Sequence, residues 1–318
     1  MPNIRPMRRL ADPREIRPPA LVVVGSIGLD TVETPTARGR ELLGGSVSYA
    51  CACASFFART GMVGIVGDDF PRRHLALFRQ LGIDLAGLRR QAGRTFRWSG
   101  VYEKDMNRRR TRSTELNVFA EFSPDLPEHY RAAPFVFLAN IAPALQLRVL
   151  DQMRRPRFVL ADTMDLWIET ARSELLEVVR RVDVLTVNDA EARHLTGRHS
   201  LLAAAKELRR RGPRHVLIKK GEHGSILFGP SGPFLMPAFP LEDVRDPTGA
   251  GDSFAGGFMG ALAAGGRATD AALRRAMAYG SVIASFVCER FSLDGVRRLT
   301  RSRIEERHRA LRRMCRLP

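Results

Sequence analysis

The sequence predicts an α/β protein with a mainly parallel central sheet flanked by helices. Three observations predict it. Short apolar runs, from Leu21-Val22-Val23-Val24 to His215–Lys219, alternate with stretches of helical period over most of the 318 residues. Each run is followed by small or polar residues and then a helical stretch, the order of a parallel sheet covered on both faces. Two segments, 31–43 and 95–122, break the rhythm with strand-like alternation and imply a patch of β-structure outside the main sheet, a lid or a dimer clasp.

In order, Leu21–Gly25 is the first strand and leads into Gly-Ser-Ile-Gly-Leu-Asp. Gly44–Arg59 is helical and rich in small residues, Val63–Gly67 is a second strand, and Arg72–Leu81 is a helix closed by Gly82. Thr95–Phe122 reads as antiparallel strands around the polar turn Lys104–Arg112. Strands follow at Phe135–Leu138, Phe158–Ala161, Val182–Val187 and His215–Lys219, then a hairpin of Ile226–Phe228 with Phe234–Met236. Two long helices, Ala250–Ala264 and Asp270–Glu289, precede a basic helical end, Leu299–Arg313, read as a solvated face. Residues 1–18 are expected to be a mobile tail, 19–298 one domain, and 299–318 a basic C-terminal helix or tail.

The net charge is +17, yet only four of the 51 basic residues are lysines and the arginines are spread along the chain. With 7% aromatics and no reading module, this composition argues against specific nucleic-acid binding. No apolar run reaches the roughly 18–20 residues of a membrane span, and the Arg- and Pro-rich start lacks a signal-peptide core. The expected location is the cytoplasm. None of Cys51, Cys53, Cys288 and Cys315 forms a CxxC pair, and Cys51 and Cys53 have no nearby His to complete a zinc site, so helix-buried thiols are the expected reading.

The chemistry concentrates in Asp246-Pro-Thr-Gly-Ala-Gly-Asp-Ser-Phe254. Gly249, Ala250 and Gly251 let backbone N–H groups approach an anion closely at a helix start, where the partial charge is about +0.5. Asp252 beside such a turn has an evident use, taking a proton from a hydroxyl that attacks a bound phosphate. Asp30, Asn140, Asp162, Asn188, Glu191, Lys219 and Glu222 fall at strand ends, where ligands collect in open α/β sheets. The segment therefore points to phosphoryl transfer to an alcohol.

Asp246–Asp252 resembles the C-terminal signature of the ribokinase family, the PfkB carbohydrate kinases. Gly25-Ser-Ile-Gly-Leu-Asp30 resembles its first strand and substrate-binding Asp, and Gly44-Gly45 its N-terminal glycine pair. Asn188-Asp-Ala-Glu191 is similar to its Asn-x-x-Glu motif, and Lys220-Gly-Glu-His-Gly224 to its nucleotide-side turn. The resemblance covers residues 20–293 and implies a ribokinase-like three-layer fold with a small β-lid, ATP as donor and Mg²⁺ as cation. It implies Asp252 as catalytic base, with Gly249, Ala250 and Gly251 as anion hole. ATP would lie against Asn188, Lys220, Gly221, Glu222, Gly224, Thr248 and Gly251, with adenine near Ala278–Phe291. Glu191 would hold Mg²⁺ through water, although Asn188 and Glu191 also fit an ordinary capping box. The family more often has a hydroxyl residue where Lys219 falls. That lysine either faces the phosphates or is a strand-end surface charge.

On the acceptor side the resemblance implies Asp30, Gly45, Asn140 and Asp252. Tyr49 stands where the family often has a sugar-binding Asn, and either contacts a larger acceptor or is a core aromatic. Phe96, Trp98 and Phe119 either stack on a nucleobase or pack the lid on its core. The expected acceptor is the hydroxymethyl group of a nucleoside, with a free sugar as the alternative. More remote readings are a non-catalytic ligand-binding regulator and a nucleic-acid-associated basic protein. The lid could also serve a homodimer.

Overall fold

The computed structural model describes residues 18–316, so residues 1–17 of the expected tail and residues 317–318 lie outside the described residues. The strands are β1 (Leu21–Val24), β2 (Gly28–Glu33), β3 (Arg38–Gly44), β4 (Thr60–Val66), β5 (Asp84–Arg90), β6 (Phe96–Tyr102), β7 (Arg109–Glu115), β8 (Phe135–Leu138), β9 (Phe158–Asp162), β10 (Val184–Asn188), β11 (His215–Lys219), β12 (Ser225–Gly229) and β13 (Gly232–Met236). The helices are α1 (Ser46–Ala54), α2 (Arg72–Gln80), α3 (Pro143–Gln152), α4 (Asp165–Thr170), α5 (Arg172–Arg180), α6 (Asp189–Thr196), α7 (Leu201–Arg210), α8 (Ala250–Gly265), α9 (Asp270–Cys288) and α10 (Arg301–Met314).

Nine strands form the main sheet in the order β13-β12-β11-β10-β9-β8-β1-β4-β5. All pair in parallel except the β11–β12–β13 hairpins at one edge. Strands buried on both faces carry apolar residues throughout, which is why β1 and β8 read as unbroken hydrophobic runs. Successive side chains serve opposite faces. Leu21, Val23, Phe135 and Phe137 join the core built with α1, α8 and α9, while Val22, Val24, Val136 and Leu138 join the core with α3 and α5. Chain order runs outward from β1 in both directions, through β4 to β5 and through β8 to β13, so it reverses at the β1/β8 boundary. That is the position where an open sheet presents a ligand crevice at its carboxyl edge.

Strand β5 escapes the sequence reading. It lies at the sheet edge and buries one of its seven residues, so it lacks an apolar pattern.

The two rhythm-breaking segments meet in a second sheet, ordered β3-β2-β6-β7. Its register shifts between Asp30 and Val32, opposite Glu41, which has a φ of 52°. Arg97 of β6 ties Glu41 and Asp69 into an ion-paired corner under this bend.

Helices α1 and α8 pack so closely that a Cβ on Gly256 would lie 2.3 Å from the Ala50 carbonyl oxygen. This contact fixes the start of α8 over the carboxyl edge. Helix α10 differs from the expected solvated face. Ile304, His308 and Leu311 are buried, and His308 stacks on Tyr279 with centroids 4.1 Å apart. Arg301 covers Phe57 and Tyr279, and Arg307 covers Phe286 at 3.6 Å. The arginine stems cover apolar surface while their heads stay polar, so a strongly basic sequence conceals a docking face.

Candidate active site

Parallel pairing brings the ends of β8, β9, β10 and β11 to one edge, and with them Asn140, Asp162, Asn188 and Lys219. The start of α8 faces this edge. Gly249 is its N-cap in the left-handed region, φ 74°, a conformation that favours glycine. A Cβ there would also lie 2.4 Å from the ring of Tyr49. Tyr49 is thus buried against the turn as its floor. Within the turn the Ala250 N–H donates to Pro247 at 3.1 Å and that of Ser253 to Gly249 at 2.8 Å. The N–H groups of Gly249 and Gly251 make no such bond among the described residues, as helix starts leave such donors free.

Asp252 is half-buried at the first turn of α8. Burial, followed by the Asp162 charge, pushes its carboxyl up to about 7, while Lys219 and Arg109 pull it down. Asp246 spans the base of the turn, accepting from the backbone N–H of Thr248 at 2.9 Å and of Ser292 at 3.3 Å.

Asp30 enters from β2 of the second sheet. It is 5% exposed and its Oδ1 has no partner, so a buried acceptor is held ready for a donor. Burial first, then the charges of Asp246 and Asp252, raise its carboxyl to about 8. The glycine pair divides its work. A Cβ on Gly44 would sit 1.9 Å from Asp30 Oδ2, so Gly44 makes room for the carboxylate. Gly45, with φ 91°, is pressed on the Ser26 backbone at the start of α1.

Asn188 and Glu191 form a capping box at α6, with both bonds at 2.7 Å. Glu191 is buried, which lifts its carboxyl to about 7 against the lowering charge of Lys219. Lys219 Nζ lies 2.8 and 3.1 Å from the two carboxylate oxygens of Asp162. Burial opposes its charge, but Asp162 and Glu191 outweigh burial and hold the ammonium above its ordinary range. The turn after β11 closes with a bond from the Lys220 N–H to the Gly224 carbonyl at 2.8 Å, and Gly221 and Gly224 both have positive φ. Asn140 points elsewhere: its Oδ1 accepts from Trp167 Nε1 at 2.9 Å and its Nδ2 donates to Met164 Sδ.

Near the C-terminal end of α9, a groove of about 510 Å³ is lined by Phe239, Leu241, Asp243, Arg245, Glu289 and Arg290 among others. It overlaps the end of the segment expected beside adenine. The second sheet closes over the site: Thr248 Oγ1 donates to the Tyr102 hydroxyl at 3.2 Å, and Asn107 Nδ2 donates to Glu222 at 3.3 Å. Sequence reasoning gave no role in the site to Arg109 or Tyr102, placed Asp162 only among the strand-end residues, and took Gly44 only as part of the glycine pair. The signals for the ion pair were in view, since Asp162 ends a strand and Lys219 is one of four lysines.

A family model described as pfkB family carbohydrate kinase matches residues 23–295. A cytidine kinase of Thermococcus kodakarensis is 31% identical over 253 residues, covering 77% of this chain and 89% of the relative. A Methanocaldococcus jannaschii nucleoside kinase, described as an archaeal member of the ribokinase family, superposes with a TM-score of 0.74 at 20% identity, over 92% of this chain and 99% of the other. An Escherichia coli chain solved with ATP and Mg²⁺ gives a TM-score of 0.74 at 16% identity, over 91% and 99%. The chain belongs to the pfkB family of carbohydrate kinases, has the ribokinase-like fold, and is a phosphotransferase with an alcohol group as acceptor.

Proposed function

We propose that this pfkB-family kinase transfers the γ-phosphate of ATP to the hydroxymethyl group of a nucleoside. The carrying observation is the pairing of buried Asp30 on the lid, whose Oδ1 has no partner, with Asp252 at the head of α8. Asp30 would accept a hydroxyl of the acceptor and hold it with the reactive hydroxymethyl group towards Asp252. Asp252 would take the proton from that group as its oxygen attacks phosphorus, a contribution of about 10²–10⁴-fold. The Gly249 and Gly251 N–H groups would take the charge spread over the phosphoryl oxygens in transit, with Ala250 shaping the turn between them.

On the donor side, Asn188, Lys220, Gly221, Glu222, Gly224 and Thr248 would border the phosphates, and the groove at Phe239 and Glu289 would take the base. Among the described residues no three His, Cys, Asp or Glu side chains cluster as a metal cage. Mg²⁺ commonly keeps waters and binds one or two carboxylates plus substrate phosphates, and the Glu191 carboxylate fits that demand with one oxygen, Oε2, bonded to Asn188 N. Held there through water, the ion would neutralise charge on the β- and γ-phosphates.

The nucleoside reading is supported by the names of the cytidine and nucleoside kinase relatives and by the lid aromatics. Phe96 lies directly over Gly28 beside Asp30, backed by Phe119 at 5.6 Å. Trp98 folds over Gly100 instead, with Nε1 donating to Thr111. The test is a thermal-shift and phosphorylation screen of cytidine, inosine, adenosine, ribose and fructose with ATP and Mg²⁺. Transfer to the 5′-hydroxyl of a nucleoside is expected. Turnover with free sugars alone would replace the nucleoside reading by the sugar-kinase one.

A further inference from the structure

We infer that Lys219 is a second catalytic residue, which binds the phosphoryl group in transit, and that Asp162 is the positioning residue that aims it; the inference rests on the kinase reading above. Lys219 ends β11, and its aliphatic stem is enclosed so that the side chain is 17% exposed. Its ammonium does not turn to solvent. It lies between two structures that belong to different parts of the chain. On one side both oxygens of Asp162 hold it, at 2.8 and 3.1 Å. On the other it abuts the phosphate turn, because a Cβ on Gly251 would come within 3.2 Å of Nζ. A glycine there leaves the space between the ammonium and the free N–H groups of the turn open to an anion.

Asp162 is itself held rigidly. It is 4% exposed, and its Oδ1 also accepts from the Thr163 N–H at 3.0 Å. Gln146, 1% exposed, donates to the carbonyls of Asp162 and Ala139 at 2.9 and 3.1 Å, pinning the end of β9 to the end of β8. A buried lysine needs one carboxylate for neutrality, and Asp162 supplies it. An ammonium has three N–H donors in tetrahedral array, and Asp162 approaches from one side. With two bonds to Asp162 on one side, the ammonium keeps a donor for the side on which Gly251 lies. A fixed cation at that place stabilises charge on a non-bridging phosphoryl oxygen without reorganising during transfer. The bond between the bridging oxygen and the γ-phosphorus breaks, the acceptor oxygen forms the new bond, and its proton goes to Asp252. Lys219 keeps its own protons throughout.

The test compares Lys219→Met, Asp162→Asn, the double variant and Lys219→Arg with the wild type. Lys219→Met alone strands a buried carboxylate, so the double variant, which removes both charges, is the deciding protein. In the double variant kcat should fall about 10²–10³-fold, the cost of losing one preorganised charge donor, with the acceptor KM within about threefold of wild type. Asp162→Asn should lower kcat with little change in KM, because the ammonium remains but is no longer aimed. Lys219→Arg should restore part of the loss. Calorimetry with a non-hydrolysable ATP analogue and with ADP gives a readout independent of any acceptor. The wild-type preference for the triphosphate should shrink in the double variant. Equal weakening of both nucleotides, or a folded double variant with kcat within threefold of wild type, would overturn the role of Lys219. A wild-type protein that phosphorylates no acceptor would count against the proposed reaction, and the nucleotide comparison would still judge Lys219.

Discussion

Asn107 Nδ2 lies 3.3 Å from Glu222 Oε1, so the tip of the lid touches the turn that follows β11. The two residues are 115 positions apart, and the bond bridges the acceptor side and the expected nucleotide side of the site. Both side chains are exposed, so the contact adds little to folding. Asn107→Ala should change stability by less than about 0.5 kcal/mol. It should raise the KM for ATP several-fold, because the lid loses its far anchor. Chemical denaturation and steady-state kinetics check the two halves separately.

Asp252→Asn should leave folding and nucleotide binding intact and cut turnover at least about a hundredfold. Single-turnover measurement at saturating ATP is the decisive assay, and near-normal turnover would remove Asp252 from the role of base.

The same carboxylate sets a pH dependence. A base must be unprotonated, and Asp252 is held at about 7. The acid limb of the kcat/KM profile should therefore bend near neutrality rather than near the usual carboxylate range of about 4. Lys219 lowers the Asp252 value, so loss of the lysine charge should move that limb to higher pH. A pH–rate profile bending below pH 5 would contradict the assignment.

Asp30→Asn should raise the acceptor KM strongly and also alter the pH dependence of stability. Burial pushes the folded carboxyl up to about 8, well above the ordinary carboxylate range. Between those values the folded state binds more protons than the unfolded state, so wild-type stability falls as pH rises through the window. The Asn variant lacks this loss, and its melting temperature should gain on wild type from pH 5 to pH 8. A constant difference across that range would show that burial does not shift Asp30.

Arg307→Ala should lower stability by about 1–2 kcal/mol, because the residue joins a cation–π contact to two charged hydrogen bonds. Its guanidinium covers Phe286 at 3.6 Å and donates to Ser285 at 2.9 Å and Glu289 at 2.8 Å. Glu289 also lines the groove near α9, so nucleotide affinity should weaken with it.

The main sheet was legible because strands buried on both faces must be continuous apolar runs. Edge strand β5 was not, because its exposed residues are free to be charged. The Gly-Ala-Gly-Asp turn was legible for a similar reason: close backbone approach and positive φ at Gly249 restrict the residue type. Asn140 is a case where position alone did not give the side chain's surroundings. Its place after β8 is that of a ligand contact, while its side chain is occupied by Trp167 and Met164. Tyr49 shows the same limit, since its position next to the glycine pair says nothing of its ring lying under Gly249.

Residue type and order alone determined the α/β architecture, the kinase family resemblance and the identity of the acid beside the Gly249–Gly251 turn. Those features depend on local periodicity and on backbone conformations that few residues tolerate. Tertiary structure alone decided that Lys219 faces Asp162 and Gly251, that Gly44 makes room for Asp30, and that the basic C-terminal segment docks on α9. Each of these joins residues far apart in the chain, and the energy of such a pair depends on distance and burial, which a linear order of residues does not contain.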